Sequence, residues 1–188
     1  MNFASLKAYA ISKKVPIITD EVFEFLRGLI QEKKICDVLE IGTAIGYSAL
    51  AMASFGCNVK TFERDEFMID EAKHHLDLFD EGKRVALYPF DALTYEEDLG
   101  KFDLIFIDAA KSQYETFFKK YGKFLKVGGF IVCDNLHFHH LNPSQVNRHT
   151  QALLRKLEKF KLFLANNQEY KTTFYDLGDG LSVSERMI

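Results

Sequence analysis

Five apolar, β-prone runs recur along this chain, at 35–41, 58–63, 84–90, 103–108 and 129–134, and an acid ends or directly follows each. The acids are Glu40, Glu63, Asp91, Asp108 and Asp134, the last followed by Asn135. Helical patterns lie between or after them, at 46–55, 65–79, 112–125 and about 143–165. Strands and helices alternating at this spacing predict parallel strands joined by right-handed crossovers, an α/β sheet with helices on both faces. Leu104-Ile105-Phe106-Ile107 and Phe130-Ile131-Val132-Cys133 are apolar throughout, as central strands covered on both faces should be. Ligands of such sheets bind beyond the carboxyl ends of the strands. Acids are depleted inside strands and common in the loops that follow, so one of them means little. Five in register mark a rim.

The flanks differ from this core. Residues 3–13 read as a short helix, and Pro16 disfavours helix at Val15. Thr19 reads as an N-cap, with Asp20 and Glu21 in the first turn of a helix carrying Val22, Leu26, Leu29 and Ile30. At the other end, 171–177 and 181–185 flank Gly178-Asp179-Gly180, which predicts a hairpin. No repeat or linker interrupts residues 1–188, so one domain is expected.

Composition narrows the setting. No apolar run approaches the ~20 residues that span a bilayer. The N-terminus lacks the apolar core of a secretion signal. Cys36, Cys57 and Cys133 are odd in number and widely spaced, which favours buried free thiols and a reduced, cytoplasmic setting. A net charge of −3 argues against a whole surface that grips nucleic acid. Local basic clusters remain, at Lys7 with Lys13-Lys14 and at Arg148, Arg155-Lys156, Lys159 and Lys161.

The first crossover runs Val38-Leu39-Glu40-Ile41-Gly42-Thr43-Ala44-Ile45-Gly46-Tyr47-Ser48. Strand, glycine turn and helix form a nucleotide-binding arrangement. It lacks the middle glycine of G-x-G-x-x-G, which lets a pyrophosphate approach the backbone. With an acid at position 40, the turn suits a cationic or amine-bearing nucleoside. Glu63, 23 positions later at the end of the second strand, is placed to accept hydrogen bonds from ribose hydroxyls. Asp108, Asp134 and Asn135 are all oxygen donors and suit a hard cation such as Mg²⁺. His137, His139 and His140 follow, but neighbouring donors are oxygen, so lid or surface roles are read in preference to zinc. Lys111 stands three residues after Asp108. A nearby divalent cation would lower its pKa and fit it to act as a general base.

These residues give the chain a resemblance that covers about Tyr9 to the C-terminus. It rests on Val15-Pro16-Ile17-Ile18, on Leu39 to Ser48, on Phe106-Ile107-Asp108-Ala109-Ala110-Lys111, on Asp134-Asn135-Leu136 and on Gly178-Asp179-Gly180-Leu181. The chain resembles the class I S-adenosylmethionine-dependent O-methyltransferases, in the metal-dependent group of catechol and caffeoyl-CoA O-methyltransferases. Within it, the chain is most similar to bacterial tRNA 5-hydroxyuridine methyltransferases. The resemblance implies a Rossmann-like, seven-stranded, mostly parallel sheet ending in an antiparallel hairpin, with residues 1–34 packed over the cofactor site. It implies that Gly42 and its turn hold the methionine part of the cofactor and that Ser48 contacts its carboxylate end. It implies that Glu40 and Ile18 belong to the same cofactor site. Glu63 would bind ribose, and Asp91 and Ala92 would border adenine. Asp108, counted also among the cofactor contacts, would ligate Mg²⁺ with Asp134 and Asn135, and Lys111 would be the base. Relatives often carry methionine where this chain has Ile18. A homodimer is implied as well. The acceptor is expected to be tRNA 5-hydroxyuridine, with a small catechol-type hydroxyl as the alternative. From other classes, a nicotinamide-dependent oxidoreductase is disfavoured by the missing glycine, and a non-catalytic RNA-binding protein by the intact rim.

Overall fold

The computed structural model describes residues 3–136 and 147–188. It opens with α1 (Phe3–Lys13) and α2 (Asp20–Lys33). Thr19 caps α2, its side chain accepting the Val22 N–H, and Lys34 ends the helix in a left-handed conformation. The alternating core follows: β1 (Asp37–Ile41), α3 (Tyr47–Ser54), β2 (Asn58–Phe62), α4 (Glu66–Phe79), β3 (Val85–Tyr88) and β4 (Phe102–Ile107). A single 3-10 turn (Lys111–Gln113) leads into α5 (Tyr114–Gly122), then β5 (Leu125–Cys133), α6 (Arg148–Asn166), β6 (Tyr170–Tyr175) and β7 (Leu181–Arg186).

The seven strands form one sheet in the order β3-β2-β1-β4-β5-β7-β6. From β3 to β5 all neighbours are parallel. β7 pairs antiparallel with β5 and with β6, so the predicted hairpin inserts its second strand next to the parallel core. The chain runs outward from β1 through β2 to β3, then restarts at β4 on the other side of β1. Strand order therefore reverses between β1 and β4, and a crevice opens there.

Strand alternation divides the core into two layers. Val38, Val59, Leu104, Phe106 and Val132 face α1, α2 and α3, meeting Leu6, Val22, Leu26, Leu50 and Met52. Leu39, Ile41, Phe62, Ile105, Ile107 and Ile131 face the other way, against Tyr114, Phe118, Tyr121, Leu157 and Phe160 of α5 and α6. Side chains such as Phe106 and Leu50 are fully buried, and truncating one to alanine costs about 3–5 kcal/mol. Cys57 and Cys133 are buried free thiols, as expected, but Cys36 precedes β1 and is exposed. No described helix is long and apolar enough to cross a membrane.

Candidate active site

Two cavities meet at the crevice between β1 and β4. One, about 410 Å³, is walled by Ile17, Ile18, Thr43, Ser48, Lys111, Asp134, Asn135 and Asp179 among others. The second, about 180 Å³, is walled by Phe62, Glu63, Arg64, Asp91, Ala92 and Phe117 among others. Gly42, Ala44, Asp108 and Ala109 line both. The crossover turn is thus the partition between them.

The backbone of this turn is tightly specified. Gly42 has φ +103°, and a Cβ there would stand 2.1 Å from the Asp108 carbonyl oxygen. Only glycine lets β1 and β4 end this close together. The Gly42 and Thr43 N–H groups both donate to the Phe62 carbonyl. From beyond β2, the Glu63 Oε2 accepts the Ala44 N–H at 2.9 Å, and its Oε1 accepts those of Arg64 and Asp65. Glu63 therefore reaches the cavity wall with its carboxylate already oriented. Asp91 is held the same way, accepting the Leu93 N–H at 2.8 Å and pairing with Arg64 at 3.0 Å. Burial alone would raise its carboxyl, but the Leu93 N–H and the Arg64 charge outweigh it and hold it below the usual range.

Glu40 lies behind the turn and lines neither cavity. It is fully buried, its Oε2 accepts the Thr61 hydroxyl at 2.5 Å, and Thr61 meets the Thr43 hydroxyl at 2.5 Å. Its Oε1 has no hydrogen-bond partner among the described residues. Desolvation pushes its carboxyl up to about 7, against the Ser48 and Thr61 hydroxyls. A buried acid with an orphaned oxygen directly behind the turn fits a positively charged ligand in front of it.

Asp108, Asp134 and Asn135 come together because β4 and β5 are neighbours and end in register, Ile107 beside Cys133. The Asn135 side-chain amide donates to Asp108 Oδ1 at 2.8 Å, and its N–H donates to Asp134 Oδ1 at 2.7 Å. Asn135 adopts φ +61°, a conformation that asparagine tolerates better than most residues. Both carboxyls are shifted upward. For Asp108 the cause is burial, opposed by Asn135 and Lys111. Asp134 reaches about 7 through burial and the nearby Asp108 charge. Two partly desolvated carboxylates and an amide whose half-turn presents its oxygen make a donor set that fits a hard divalent cation. Among the described residues no cluster of three His, Cys, Asp or Glu side chains competes with it. His137, His139 and His140 lie outside the described residues.

Two residues near Asp134 have no role assigned by the sequence. Asp179, part of the hairpin turn and of the last resemblance motif but given no role of its own, lines the larger cavity and adds negative charge near Asp134. Tyr114 is buried and donates its hydroxyl to the Asp134 carbonyl at 2.8 Å. The hairpin turn is tied to the Asp134–Asn135 loop by Leu136 N–H to Gly180 carbonyl, and to α2 by Gly178 N–H to Glu21. Residues 16–19, which precede α2 and include Ile18, line the larger cavity.

Comparison with known proteins accords with this geometry. Residues 4–187 match the family model described as O-methyltransferase. The tapetum-specific methyltransferase 1 of Arabidopsis thaliana is 30% identical over 98% of this chain and 84% of its own length. Caffeoyl-CoA O-methyltransferase 2 of Eucalyptus globulus is 28% identical over 87% of this chain and 72% of its own. Among solved structures, a Staphylococcus aureus protein described provisionally as a caffeoyl-CoA O-methyltransferase superposes with a TM-score of 0.93 at 32% identity, covering 99% of this chain and 92% of its own. The Podospora anserina methyltransferase PaMTH1, solved with S-adenosylhomocysteine, gives a TM-score of 0.79 at 25% identity, covering 92% and 80%. The chain belongs to the O-methyltransferase family and is an S-adenosylmethionine-dependent enzyme of the caffeoyl-CoA O-methyltransferase type.

Proposed function

We propose that the enzyme methylates a hydroxyl that has a second oxygen beside it, with a divalent cation held by Asp108, Asp134 and Asn135, and that its acceptor is the wobble 5-hydroxyuridine of tRNA. The observation that carries the reading is the shared wall at Gly42, Ala44, Asp108 and Ala109. A cofactor lying across that wall would have its nucleoside in the smaller cavity and its methionine end in the larger one, beside the oxygen donors and Lys111. Ile18 and Ser48 would enclose the methionine end. Glu63 would accept the ribose hydroxyls, and Asp91 and Ala92 would border the adenine. Glu40 would act through the turn, as the buried carboxyl behind it.

The cation, when bound, supplies Lewis acidity to the acceptor's hydroxyl and orients it through the neighbouring oxygen. Lys111 takes the hydroxyl proton as the oxygen–methyl bond forms and the sulfur–methyl bond breaks, leaving S-adenosylhomocysteine. The rigid turn and the cavity walls hold donor and acceptor together, and positioning of this kind supplies a large share of such rates. Lys111→Ala is expected to lower kcat at least a hundredfold while leaving cofactor affinity within a few-fold, the usual scale of general-base loss. An unchanged kcat across pH would remove the base assignment.

A small catechol-type acceptor is the second reading, favoured by the caffeoyl-CoA O-methyltransferases among the relatives. Mass spectrometry of tRNA nucleosides from cells lacking the protein separates the two. Loss of 5-methoxyuridine with accumulation of 5-hydroxyuridine supports the tRNA acceptor; an unchanged nucleoside profile contradicts it. We also propose a cytoplasmic homodimer, to be checked by light scattering on the purified protein.

A further inference from the structure

A third cavity, about 550 Å³, lies where the 3-10 turn, α5 and α6 meet. Lys111, Lys119, Lys120, Lys156 and Lys159 line it, and Glu115 is the acid among its lining residues. Lys111 also lines the larger active-site cavity, so the groove starts where the acceptor's reacting end must sit. Lys119 and Lys120 are also tied to neighbouring groups. Lys119 pairs with Glu115 at 2.5 Å, and Lys120 donates to the Leu93 carbonyl at 2.7 Å while pairing with Glu96 at 3.3 Å. Lys156 and Lys159 are exposed.

The positive charge continues along α6 beyond the groove. Arg148, Arg155, Lys156 and Lys159 fall at i, i+7, i+8 and i+11, within one face of the helix. Those eleven steps span about 16 Å at the helical rise. Glu158 lies off this face and pairs with Lys161 at 2.9 Å. A track of that length matches several successive phosphates of a nucleic-acid strand, spaced about 3.4 Å along its axis. One pyrophosphate would occupy only part of it.

We propose that this lysine-lined groove and the basic stripe of α6 form a docking track for the phosphodiester backbone of the methyl acceptor, delivering one nucleotide past Lys111 into the methyl-transfer cavity. The net charge of −3 makes this face the exception to the molecule's overall charge. The track rests on the nucleic-acid reading of the acceptor and assigns it a surface. Contacts of this kind position a strand without reading its sequence, so choice of the base would lie with the cavity itself.

The test is anisotropy of a fluorescein-labelled RNA hairpin, with 5-hydroxyuridine in its loop, titrated with full-length protein at several salt concentrations. Lys156→Gln with Lys159→Gln should weaken binding about tenfold and flatten the salt dependence by about two phosphate contacts. Its melting temperature, measured alongside, reports that the fold is intact. Lys73→Gln, on α4 away from the groove, is the control and should bind as the parent does. Equal affinity and equal salt slope in the double variant would overturn the proposal. Coenzyme A binding that depends on the two lysines, with RNA binding unaffected, would also overturn it. RNA that binds through these lysines but is not methylated would leave the track standing and remove the acceptor reading instead.

Discussion

Single positions carry much of the site, and two of them are open to direct test. Gly42 is one, because its positive φ and the 2.1 Å approach to the Asp108 carbonyl forbid any side chain. Gly42→Ala is expected to destabilise the protein by more than about 1 kcal/mol and to abolish cofactor binding. Thermal melts and calorimetry check both, and a variant that binds normally would contradict the close packing of β1 and β4. Glu40 is the other. Burial pushes its carboxyl up to about 7 from the ordinary 4.5, so the folded protein holds a proton that the unfolded chain releases. Its contribution is therefore full below pH 4.5 and lost as pH rises through about 7. The shift corresponds to a few kcal/mol at most, on the order of 3. Metal-free protein should lose stability across that window, and Glu40→Gln should flatten the decline; melts at successive pH values decide, and an unchanged slope would mean that the proton is not held there. The placement of Asp108, Asp134 and Glu63 was legible in the sequence because residues that follow parallel strands gather at one edge of the sheet, and Asn135 follows Asp134 directly. Asp179 and Tyr114 were not, since their nearness to Asp134 comes from tertiary contacts that no local pattern encodes.

At the level of elements, the crossover turn is held from both sides. The Glu63 carboxylate reaches it from the end of β2, and α4 reaches it through His75, which is buried with Nδ1 3.0 Å from the Ile45 carbonyl. Tyr9 of α1 lays its ring edge-on to His75 at 5.0 Å and hydrogen-bonds Glu71. The N-terminal helix is thereby connected to the turn. His75→Leu would leave a buried carbonyl unpaired, at a cost of about 1–3 kcal/mol. The expected result is a lower melting temperature and cofactor affinity reduced about tenfold, with kcat at saturation changed much less; unchanged affinity would show that the turn stands without α4. Element boundaries followed the sequence closely at α1 and α4. β1 begins at Asp37 because Cys36 and Asp37 donate their N–H groups to the Asp103 carboxylate, a contact across 66 residues or more. β5 begins at Leu125, earlier than its apolar run, since pairing with Phe102 extends it past the glycines at 128 and 129.

Over the whole molecule, alternation of strand and helix predicted the parallel sheet, and the final hairpin predicted its antiparallel edge. The insertion of β7 between β5 and β6 was not visible, because strand order depends on which edge is free when the hairpin docks. That insertion matters to the site: it carries the 178–180 turn to the Asp134–Asn135 loop and to α2, closing the larger cavity. The two cavities, the Asp108, Asp134 and Asn135 side chains and Lys111 meet at one reversal of strand order; that they serve as cofactor site, cation site and base is the central claim. The measurement that tests it most directly is methyl transfer from labelled S-adenosylmethionine to tRNA and to a catechol, using chelator-treated enzyme with Mg²⁺ added back in steps. Activity should vanish on chelation, return with Mg²⁺, and stay absent in Asp108→Ala at every Mg²⁺ concentration. Full activity in chelator, or in the Asp108 variant, would contradict the account.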